Sequence, residues 1–499
     1  MADDIKAIFA SVKEEAKDFS TALWQCCEKI YKELPENYEA DIDPELQITF
    51  LTNKLNEAVE TLCDGLDNPT LILATTGTTS SGKSTLVNLL CGAELMPRAV
   101  LERSAGVVTV EYSEQKAIRI EETAGATWEC GAWHNVSNED IYDRLDGVMK
   151  AYLKHRAAGD SNIACPQSTV YYPFRLVAEP DLLNLPEGTT VKIMDLPGLA
   201  HVGDEGNAEV IRRSKEALCL VTYNSAEADE EKVASLLQEV VDQVKELGGS
   251  PARMLFILNR IDVFRGDGKG WPESEEVFFD KATQDIRSKL KESLGEYEQE
   301  IDEAKIIKLS SLPALLALKI IDGSDAEKNE AADALDSHFN FLMPEDVLDD
   351  LPRNVRKWTD HDRKRLSEIV WKAANAEAFH EHLKQHILSE YPQLILPQLI
   401  RRFKDNAASE LVRWISQTTS AVINSSEESY KLEYDRIKLV RERLEESIET
   451  NGKALKAPFD EIQEILKNFV TTQALHLAFN NAENAILDLA PILISRVRQ

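Results

Sequence analysis

The chain lacks several features that mark particular classes of protein. Its seven cysteines in 499 residues all lie between Cys26 and Cys219, and none forms a C-x-x-C pair, which argues against a disulfide framework and a zinc site. No apolar run is long enough to cross a bilayer. The first residues also lack the basic start and apolar core of a signal peptide. From these absences we expect a cytoplasmic protein with reduced thiols.

The chain is also poor in basic residues, with 56 lysines and arginines against 87 aspartates and glutamates and a net charge of −31. Such a charge repels phosphate backbones, so we expect no nucleic-acid partner. The part from Leu394 onward carries 14 basic and 15 acidic residues, which leaves −30 for the preceding part. This near-neutral part would suit contact with a protein or lipid surface, and solvated helix charges are the ordinary alternative.

The first pattern that is present is typical of a phosphate-binding loop. Residues 77–84 read Gly-Thr-Thr-Ser-Ser-Gly-Lys-Ser and fit G-x-x-x-x-G-K-[ST], between the apolar run Leu71–Ala74 and a predicted helix over Thr85–Cys91. In such a loop, backbone N–H groups face a di- or triphosphate, the lysine reaches the β and γ oxygens, and the last hydroxyl ligates Mg²⁺. The predicted nucleotide-binding residues here are Gly77, Thr79, Ser80, Ser81, Gly82, Lys83, Ser84 and Thr85.

A second pattern concerns recognition of the nucleotide base. Met254–Leu258 predicts a buried strand of a parallel sheet, and it is followed by Asn259-Arg260-Ile261-Asp262, which is close to N-K-x-D. Guanine presents two adjacent N–H donors that one carboxylate accepts together, whereas the unprotonated N1 of adenine would repel it. We expect Asp262 to select guanine, Asn259 to contact N7 and brace the phosphate loop, and Arg260 to cover the base.

A third pattern lies between these two. The predicted strand Val191–Met194 ends in Asp195-Leu196-Pro197-Gly198, which matches the D-x-P-G of GTPase switch regions. There the aspartate holds Mg²⁺ through water and the glycine N–H meets the γ-phosphate. Alone, each pattern also fits an ordinary turn. The three together, in this order along the chain, indicate binding of a guanine nucleotide.

Further residues resemble the dynamin superfamily. Met96-Pro97-Arg98 followed by Ser104–Thr109 resembles its L-P-R…G-x-V-T segment. Over about residues 70–311 the chain is thus similar to bacterial dynamin-like large GTPases. The interval of 118 residues between Gly77 and Asp195 is too long for a compact Ras-like domain, and it leaves room for extra strands such as 168–174.

The resemblance assigns roles to residues outside the three motifs. It makes Thr109 the switch threonine that closes over Mg²⁺, although Thr109 also lies in the alternating run Val107–Tyr112, so an ordinary strand threonine is the alternative. It places a contact to guanine O6 in the turn Ser310-Ser311 after the predicted strand Lys305–Leu309, at the Ser311 amide. The expected catalytic residues are Lys83, Ser84, Thr109 and Gly198, and the expected metal ligands are Ser84, Thr109 and Asp195.

The resemblance also implies an architecture and an activity. We expect an α/β P-loop GTPase domain, with a mixed and mostly parallel sheet and helices on both faces, over residues 70–393 with an insertion near 312–371. Helices of residues 1–69 and 394–499 would form an all-α stalk. The implied activity is Mg²⁺-dependent hydrolysis of GTP to GDP, coupled to association of two GTPase domains and to stalk movement, with a peripheral membrane or protein partner.

One departure from the family concerns hydrolysis. The glutamine that orients the attacking water in dynamins is replaced by Thr79. His201 would be a substitute, but an exposed loop histidine without that role is favoured. Two other functions stay open: a nucleotide-locked scaffold with weak or no hydrolysis, and an assembly-factor GTPase acting on RNA, which the acidity disfavours.

Helical periodicity covers both ends of the chain. Apolar residues recur at three- and four-residue steps over 5–30 and again over 51–62, and these faces need a partner to bury them. We expect a helix over Ala374–Leu388 and a separate long helix that opens at Pro397. His382 and His386 stand four residues apart in the first of these, with His380 nearby, and we interpret all three as part of a solvated helix face rather than a zinc site.

Overall fold

The computed structural model describes residues 2–32, 48–77, 81–97, 106–158, 163–183, 185–196, 217–226, 238, 253–266 and 271–424. They fall into two compact units, an α/β unit of Thr70–Leu185 and Thr190–Glu390, and a second unit of Met1–Pro69, Pro186–Thr189 and Tyr391–Gln499, in which every described secondary-structure element is a helix. The domain limits expected from the sequence stay predictions, because part of each flanking segment lies outside the described residues.

The α/β unit is built on one sheet. Its described strands run in the order β4-β3-β5-β2-β6-β1-β7-β8-β9. Neighbouring strands are parallel except in the pairs β2–β6, β3–β4 and β3–β5. The strands are β1 Thr70–Gly77, β2 Val107–Tyr112, β3 Ala117–Ile120, β4 Gly131–His134, β5 Gln167–Tyr172, β6 Thr190–Asp195, β7 Leu218–Asn224, β8 Met254–Asn259 and β9 Lys305–Leu309. The predicted mixed, mostly parallel sheet is confirmed.

Continuous apolar runs explain the central strands. β7 and β8 are buried at every position, as expected for strands covered on both faces. The outer strand β4, by contrast, is mostly exposed. The segments predicted as strands near Leu71, Val107, Ser168, Val191, Met254 and Lys305 are all strands in the structure.

Helices surround the sheet and make up the second unit. They are α1 Ala2–Lys32, α2 Ile48–Asp67, α3 Lys83–Cys91, α4 Asn138–Ala157, α5 Arg175–Ala178, α6 Pro180–Leu183, α7 Asp262–Arg265, α8 Trp271–Ser293, α9 Glu298–Glu303, α10 Ser311–Asp322, α11 Asp325–His338, α12 Glu345–Asp350, α13 Asp360–Ala373 and α14 Ala376–Asn424. Short 3-10 turns occupy Gly295–Tyr297, Asn340–Leu342 and Val355–Lys357.

Both faces of the sheet are covered. On one face, Cys219 and Val221 of β7 join a buried cluster with Ile286 and Leu290 of α8. The alternate residues of the same strand, such as Leu220, are buried as well, and they face the opposite side because strand side chains alternate. On that side α3 packs against β1 and β6, and α10 packs against α3.

The helices α10 to α13 form a layer with its own apolar cluster. Leu335, Trp358 and Leu366 lie in this cluster and are buried. Two of its helices begin with reciprocal capping boxes, Ser324 with Glu327 and Thr359 with Asp362, which satisfy backbone N–H groups of the first turn. The segment expected as an insertion near 312–371 is therefore a packed helical layer.

The all-α unit buries the apolar stripes predicted for the N-terminal helices. Val12, Ala16 and Phe19 of α1 and Leu55 and Leu62 of α2 are buried. The α1 stripe meets the later part of the chain, since Phe9 stacks on Tyr391 and Phe19 meets Phe403 edge to face, each at 6.0 Å between ring centroids. The expected all-α bundle is confirmed for its described part, and the part of the predicted stalk beyond Asn424 lies outside the described residues.

The predicted helix start at Pro397 is wrong. Pro392 and Pro397 both lie inside α14, which runs unbroken from Ala376 to Asn424. Proline costs a helix one hydrogen bond and adds a steric clash. Here Leu394, Ile395 and Leu396 around the prolines are buried, and this burial offsets the local cost, which periodicity alone does not reveal.

The expected solvated histidine face is also wrong. His380 and His386 are buried, whereas His382 is exposed, so the pair at four-residue spacing does not share one environment. No cluster of three or more metal-ligating side chains occurs among the described residues. Burial lowers the pKa of both His380 and His386 to about 4. Both imidazoles are therefore neutral core residues at neutral pH.

Cys63, Cys91, Cys130, Cys165 and Cys219 are free thiols. Within the described helices, none combines the length and apolar character that crossing a bilayer requires.

We expect His386→Leu to remove part of the acid sensitivity of folding. The histidine pKa drops from its ordinary 6.5 to about 4 on folding, so the unfolded chain binds more protons between these values, and stability falls as the pH drops through that window. The loss is about 1.4 kcal/mol per pH unit for this group. Since Nε2 of His386 has no partner among the described residues, the variant should match or exceed wild-type stability at pH 7.5.

Urea unfolding from pH 7.5 down to 5 tests this, with His382→Leu on the same helix as the matched control. The gap between His386→Leu and wild type should widen as the pH falls, and the control should run parallel to wild type. Parallel curves for His386→Leu as well would contradict the assignment.

Candidate functional site

The predicted motifs meet at one edge of the sheet. β1, β6, β7, β8 and β9 are mutually parallel, so their carboxyl ends share one edge, where ligands of open α/β sheets bind. The phosphate loop follows β1, the D-x-P-G segment follows β6, and the guanine motif follows β8. The loop of Ser310 and Ser311 follows β9.

The end of the phosphate loop has the geometry of an anion site. Gly82 is left-handed, with φ 89°, and caps α3, which starts at Lys83. The first N–H groups of a helix lack intrahelical acceptors and point at the loop, where the helix dipole favours negative charge. Nζ of Lys83 is buried and donates to the Gly77 carbonyl at 3.0 Å. The ammonium thus stands across the mouth of the loop.

Two hydrogen bonds anchor Ser81 at the base of this loop. The Thr222 hydroxyl of β7 donates to the Thr76 carbonyl at 3.0 Å. This bond uses the single proton of the Thr222 hydroxyl. In the 2.6 Å contact between the Ser81 and Thr222 hydroxyls, Ser81 is therefore the donor. The Ser81 carbonyl accepts from Nδ2 of Asn259 at 2.7 Å. Ser81 is thereby fixed to both β7 and β8.

The Asp195 carboxylate lies at the centre of the group expected to hold metal. Its Oδ2 accepts from the Ser84 hydroxyl and its Oδ1 from the Thr75 hydroxyl, both at 2.9 Å. Burial raises the pKa of Asp195, and the positive charge of Lys83 and the two hydroxyl donors oppose that rise. Both carboxylate oxygens are hydrogen-bonded in a site where charge is costly.

Asn259 joins the phosphate loop to the guanine loops. Besides the bond to Ser81, its Oδ1 accepts from the backbone N–H of Ser311 at 3.0 Å, and its side chain is fully buried. The predicted bracing of the phosphate loop is therefore present in the structure. The same contact occupies the Ser311 amide, which was expected to meet guanine O6, so in this structure that amide supports Asn259.

The remaining guanine residues stand next to this bridge. The Ser310 hydroxyl accepts from the backbone N–H of Asp262 at 2.9 Å, which ties the start of α7 to the loop after β9. Arg260 has a left-handed φ of 66° and is exposed. A non-glycine residue rarely adopts this conformation, and here it turns the chain between Asn259 and Asp262 and leaves the Arg260 side chain open to a ligand.

Several predicted residues lie outside the described part of the chain. They are Thr79, Ser80, Gly198, His201, and the residues Arg98 and Ser104 of the family-like segment. Their roles stay predictions. Thr85, by contrast, lies in the first turn of α3.

Thr109 does not join the metal group, so the structure does not support its expected role as switch threonine and ligand. It lies within β2 and pairs with Met194 of β6, while Val108 pairs with Asp195. Cross-strand partners face the same side and neighbours along a strand face opposite sides. Thr109 therefore points to the face opposite Asp195, which fits the alternative of an ordinary strand threonine.

Sequence reasoning missed Thr75 and Thr222. Both carry hydroxyls within strands that are otherwise almost wholly apolar, Leu-Ile-Leu-Ala-Thr-Thr-Gly and Leu-Cys-Leu-Val-Thr-Tyr-Asn. A buried hydroxyl needs a hydrogen-bond partner, so polar residues at the carboxyl ends of such strands were a readable sign of a nearby site. Their actual partners come from distant segments and are visible only in the fold.

The donors present suit Mg²⁺. This ion prefers hard oxygen ligands and is typically held by one or two carboxylates together with water and phosphate. Ser84 and Asp195 supply a hydroxyl and a carboxylate 2.9 Å apart, beside the loop expected to carry phosphate. The raised pKa of the buried Asp195 marks a charge that a cation would compensate.

We expect Gly82→Ala to disable the site. A Cβ at residue 82 would clash with Nδ2 of Asn259, and the backbone there has φ 89°, so the substitution displaces the bridge and strains the loop. Losing both buried hydrogen bonds of Asn259 should weaken GDP binding on the order of 100-fold. Fluorescence titration with labelled GDP measures this.

Gly147→Ala is the matched control, because Gly147 lies inside α4 and, apart from the neighbouring backbone of that helix, no atom lies within 4 Å of an added Cβ. It should bind GDP like wild type and unfold at an equal or higher temperature, since alanine favours helix by about 1 kcal/mol. Wild-type affinity in Gly82→Ala would show that the bridge is not needed.

Comparison with known proteins gives one family. Residues 73–261 match the model of the dynamin family, and this range contains most of β1, the phosphate loop, Asp195 and the start of the guanine motif. No curated protein sequence matches the chain at a significant level.

Several solved structures show a weak likeness. A bacterial dynamin structure described as an oligomerised pair that senses and tethers membranes is 13% identical, with 99% of this chain and 74% of that chain covered and a TM-score of 0.33. The bacterial dynamin GTPase LeoA from ETEC is 13% identical over 98% of this chain and 68% of that chain, with a TM-score of 0.30. Toc33 of Arabidopsis thaliana with Mg²⁺ and GMPPNP is 13% identical over 65% and 93%, with a TM-score of 0.28. These scores are too low to carry an argument.

The assignment depends on the family match together with the geometry. The matched range spans the strands that place Lys83, Asp195 and Asn259 at one edge of the sheet. The match assigns residues 73–261 to the dynamin family, and this part of the chain is a GTPase domain.

Proposed function

We propose that this protein binds GTP and GDP with Mg²⁺ and hydrolyses GTP to GDP. The observation that carries the proposal is the Asn259 side chain, which is hydrogen-bonded to the phosphate loop at Ser81 and to the β9 loop at Ser311. Through it, the loop of Lys83 and the loop of Asp262 become two ends of one site. One nucleoside phosphate would span them, with its phosphates at Lys83 and its base at Asp262.

Each end of this site has a defined task. At the phosphate end, the Lys83 ammonium and the N–H groups of the first turn of α3 would stabilise the negative charge that develops as water attacks the γ-phosphate. Ser84 and Asp195 would hold Mg²⁺, which when bound neutralises charge on the β and γ oxygens. Gly198 remains the proposed γ-phosphate contact.

At the base end, the Asp262 carboxylate would accept the two adjacent N–H donors of guanine. Its backbone N–H is already held by the Ser310 hydroxyl at 2.9 Å, so the start of α7 is fixed before the base arrives. The Arg260 side chain is exposed beside it and would cover one face of the purine.

We expect calorimetry with Mg²⁺ to show binding of GTP and GDP and no binding of ATP at the same concentrations. Lys83→Ala should abolish the binding. Asp262→Ala should weaken GDP binding by a factor of about 100 or more, because two hydrogen bonds to one carboxylate are lost. Asp280→Ala, which removes an exposed carboxylate of α8, is the control and should bind like wild type. Equal affinity for ATP would refute the assignment of the base.

The extent of hydrolysis separates two candidate functions. Thr79 stands where dynamins carry the glutamine that orients the attacking water, and this single position favours the second candidate, a scaffold locked by bound nucleotide. His201 would serve as an alternative water-orienting residue only if the loop after Gly198 brings it to the phosphate. The phosphate-binding residues are otherwise those of a hydrolase.

For the whole chain we propose a bacterial-type dynamin-like role. Nucleotide-dependent association of two GTPase domains would drive movement of a helical stalk formed by the two chain ends, in a cytoplasmic protein that attaches peripherally to a membrane or to a protein partner. The near-neutral charge from Leu394 onward, against −30 for the preceding part, supports contact through the stalk, because an anionic surface would repel the acidic part.

Single-turnover hydrolysis with and without anionic liposomes tests both proposals. We expect conversion of bound GTP to GDP, and we expect the protein to sediment with liposomes when a non-hydrolysable GTP analogue is present. Lys83→Ala should do neither. Bound GTP that stays intact would establish the scaffold instead, and equal sedimentation with analogue, with GDP and without nucleotide would contradict nucleotide-controlled membrane contact.

A further inference from the structure

The Thr75 hydroxyl is the least expected donor in the site. Thr75 is fully buried in β1, and its hydroxyl stands 2.9 Å from Oδ1 of Asp195 and 3.3 Å from the Met194 carbonyl. It has only one proton, and the shorter contact, to a carboxylate, is the stronger of the two. Thr75 therefore donates its hydroxyl hydrogen bond to Oδ1 of Asp195.

The backbone reinforces this contact. Thr75 and Asp195 are register partners in the parallel pair β1–β6, so their side chains share one face of the sheet. The Thr75 carbonyl also accepts from the N–H of Leu196 at 3.2 Å. The residue thus holds the end of β6 by its main chain and the Asp195 carboxylate by its side chain.

The two oxygens of Asp195 have separate partners. Oδ1 accepts from Thr75 on the strand side, and Oδ2 accepts from Ser84 on the side of the phosphate loop. A carboxylate held at one oxygen cannot rotate freely about its terminal bond. The Thr75 contact therefore keeps Oδ2 directed at Ser84, the other residue proposed to hold Mg²⁺.

We propose that Thr75 is a positioning residue for the metal, which orients Asp195 so that Oδ2 stays available beside Ser84. This inference rests on the proposed use of Mg²⁺. Removing a residue that hydrogen-bonds to a metal-ligating side chain typically lowers the affinity for the metal by a factor of about 10 to 100. Thr75 contacts neither the phosphate loop nor the guanine loops in the bonds described above, so its effect should be confined to the metal.

Thr75→Val is the direct test, because valine keeps the shape and strand preference of threonine and removes the hydroxyl. Binding of labelled GDP is titrated in EDTA and then at rising Mg²⁺. We expect affinity in EDTA within twofold of wild type, and a Mg²⁺ concentration for half-maximal gain raised about tenfold. Thr75→Ser, which retains the hydroxyl, should restore the wild-type midpoint.

Two further variants make the result specific. Thr283→Val removes a buried hydroxyl of α8 that has no partner among the described residues, and it should leave both measurements unchanged. Thr222→Val removes the hydroxyl that anchors Ser81, so it should weaken GDP binding equally in EDTA and in Mg²⁺. If Thr75→Val does not fold, Thr75→Ala and Thr75→Cys carry the same comparison against Thr75→Ser.

The outcomes are distinct. A wild-type Mg²⁺ midpoint in folded Thr75→Val, or an equal loss of affinity in EDTA and in Mg²⁺, would overturn the positioning role while the proposed function stands. A wild-type protein whose GDP affinity does not respond to Mg²⁺ would overturn the proposed function, and the inference with it.

Discussion

The site depends on the carboxamide of Asn259. This one side chain donates to the Ser81 carbonyl and accepts from the Ser311 amide, so it fixes the distance between a loop that follows β1 and a loop that follows β9. The group is fully buried, where a lost hydrogen bond leaves a polar atom unpaired at a cost of about 1–3 kcal/mol. Residue 82 must be glycine because the carboxamide fills the space of a side chain.

Around this bridge, neutral hydroxyl groups near the ends of strands form the hydrogen bonds that hold residues of the site in place. Thr75 and Thr222 lie in buried strands. The Thr75 hydroxyl donates a hydrogen bond to Asp195, and the Thr222 hydroxyl accepts one from Ser81. A neutral hydroxyl adds no net charge to a region where Lys83 and Asp195 already face each other. The burial of Asp195 raises its pKa, and neutral donors limit that rise without introducing another charge that would itself need a partner.

Much of this architecture could be predicted from the sequence, because strands and phosphate loop are local patterns. Short, mainly apolar runs predicted β1, β6 and β8, although not β7 between β1 and β8, and the fixed spacing from Gly77 to Ser84 predicted the loop. The predictions that failed concern features set by contacts between residues that are far apart in the sequence. Thr109 faces away from Asp195 because of the register of β2 on β6, which no spacing along the chain encodes. The prolines inside α14 and its buried histidines depend on what packs against that helix.

The helical layer α10 to α13 reaches the guanine loops through its last residues. The Ala374 carbonyl accepts from the Ser310 N–H at 3.0 Å, and the Ala373 carbonyl accepts from the Arg265 guanidinium. Arg265 also pairs with buried Glu275 at 3.4 Å, and its guanidinium lies 4.7 Å from the Trp271 ring centroid. Carbonyls at the end of a helix have no intrahelical donor, and here the loops that hold Asp262 and Ser310 supply the donors. The segments at the guanine end therefore donate hydrogen bonds to the carbonyls at the end of α13. Without these contacts, polar groups on both sides would lose a partner.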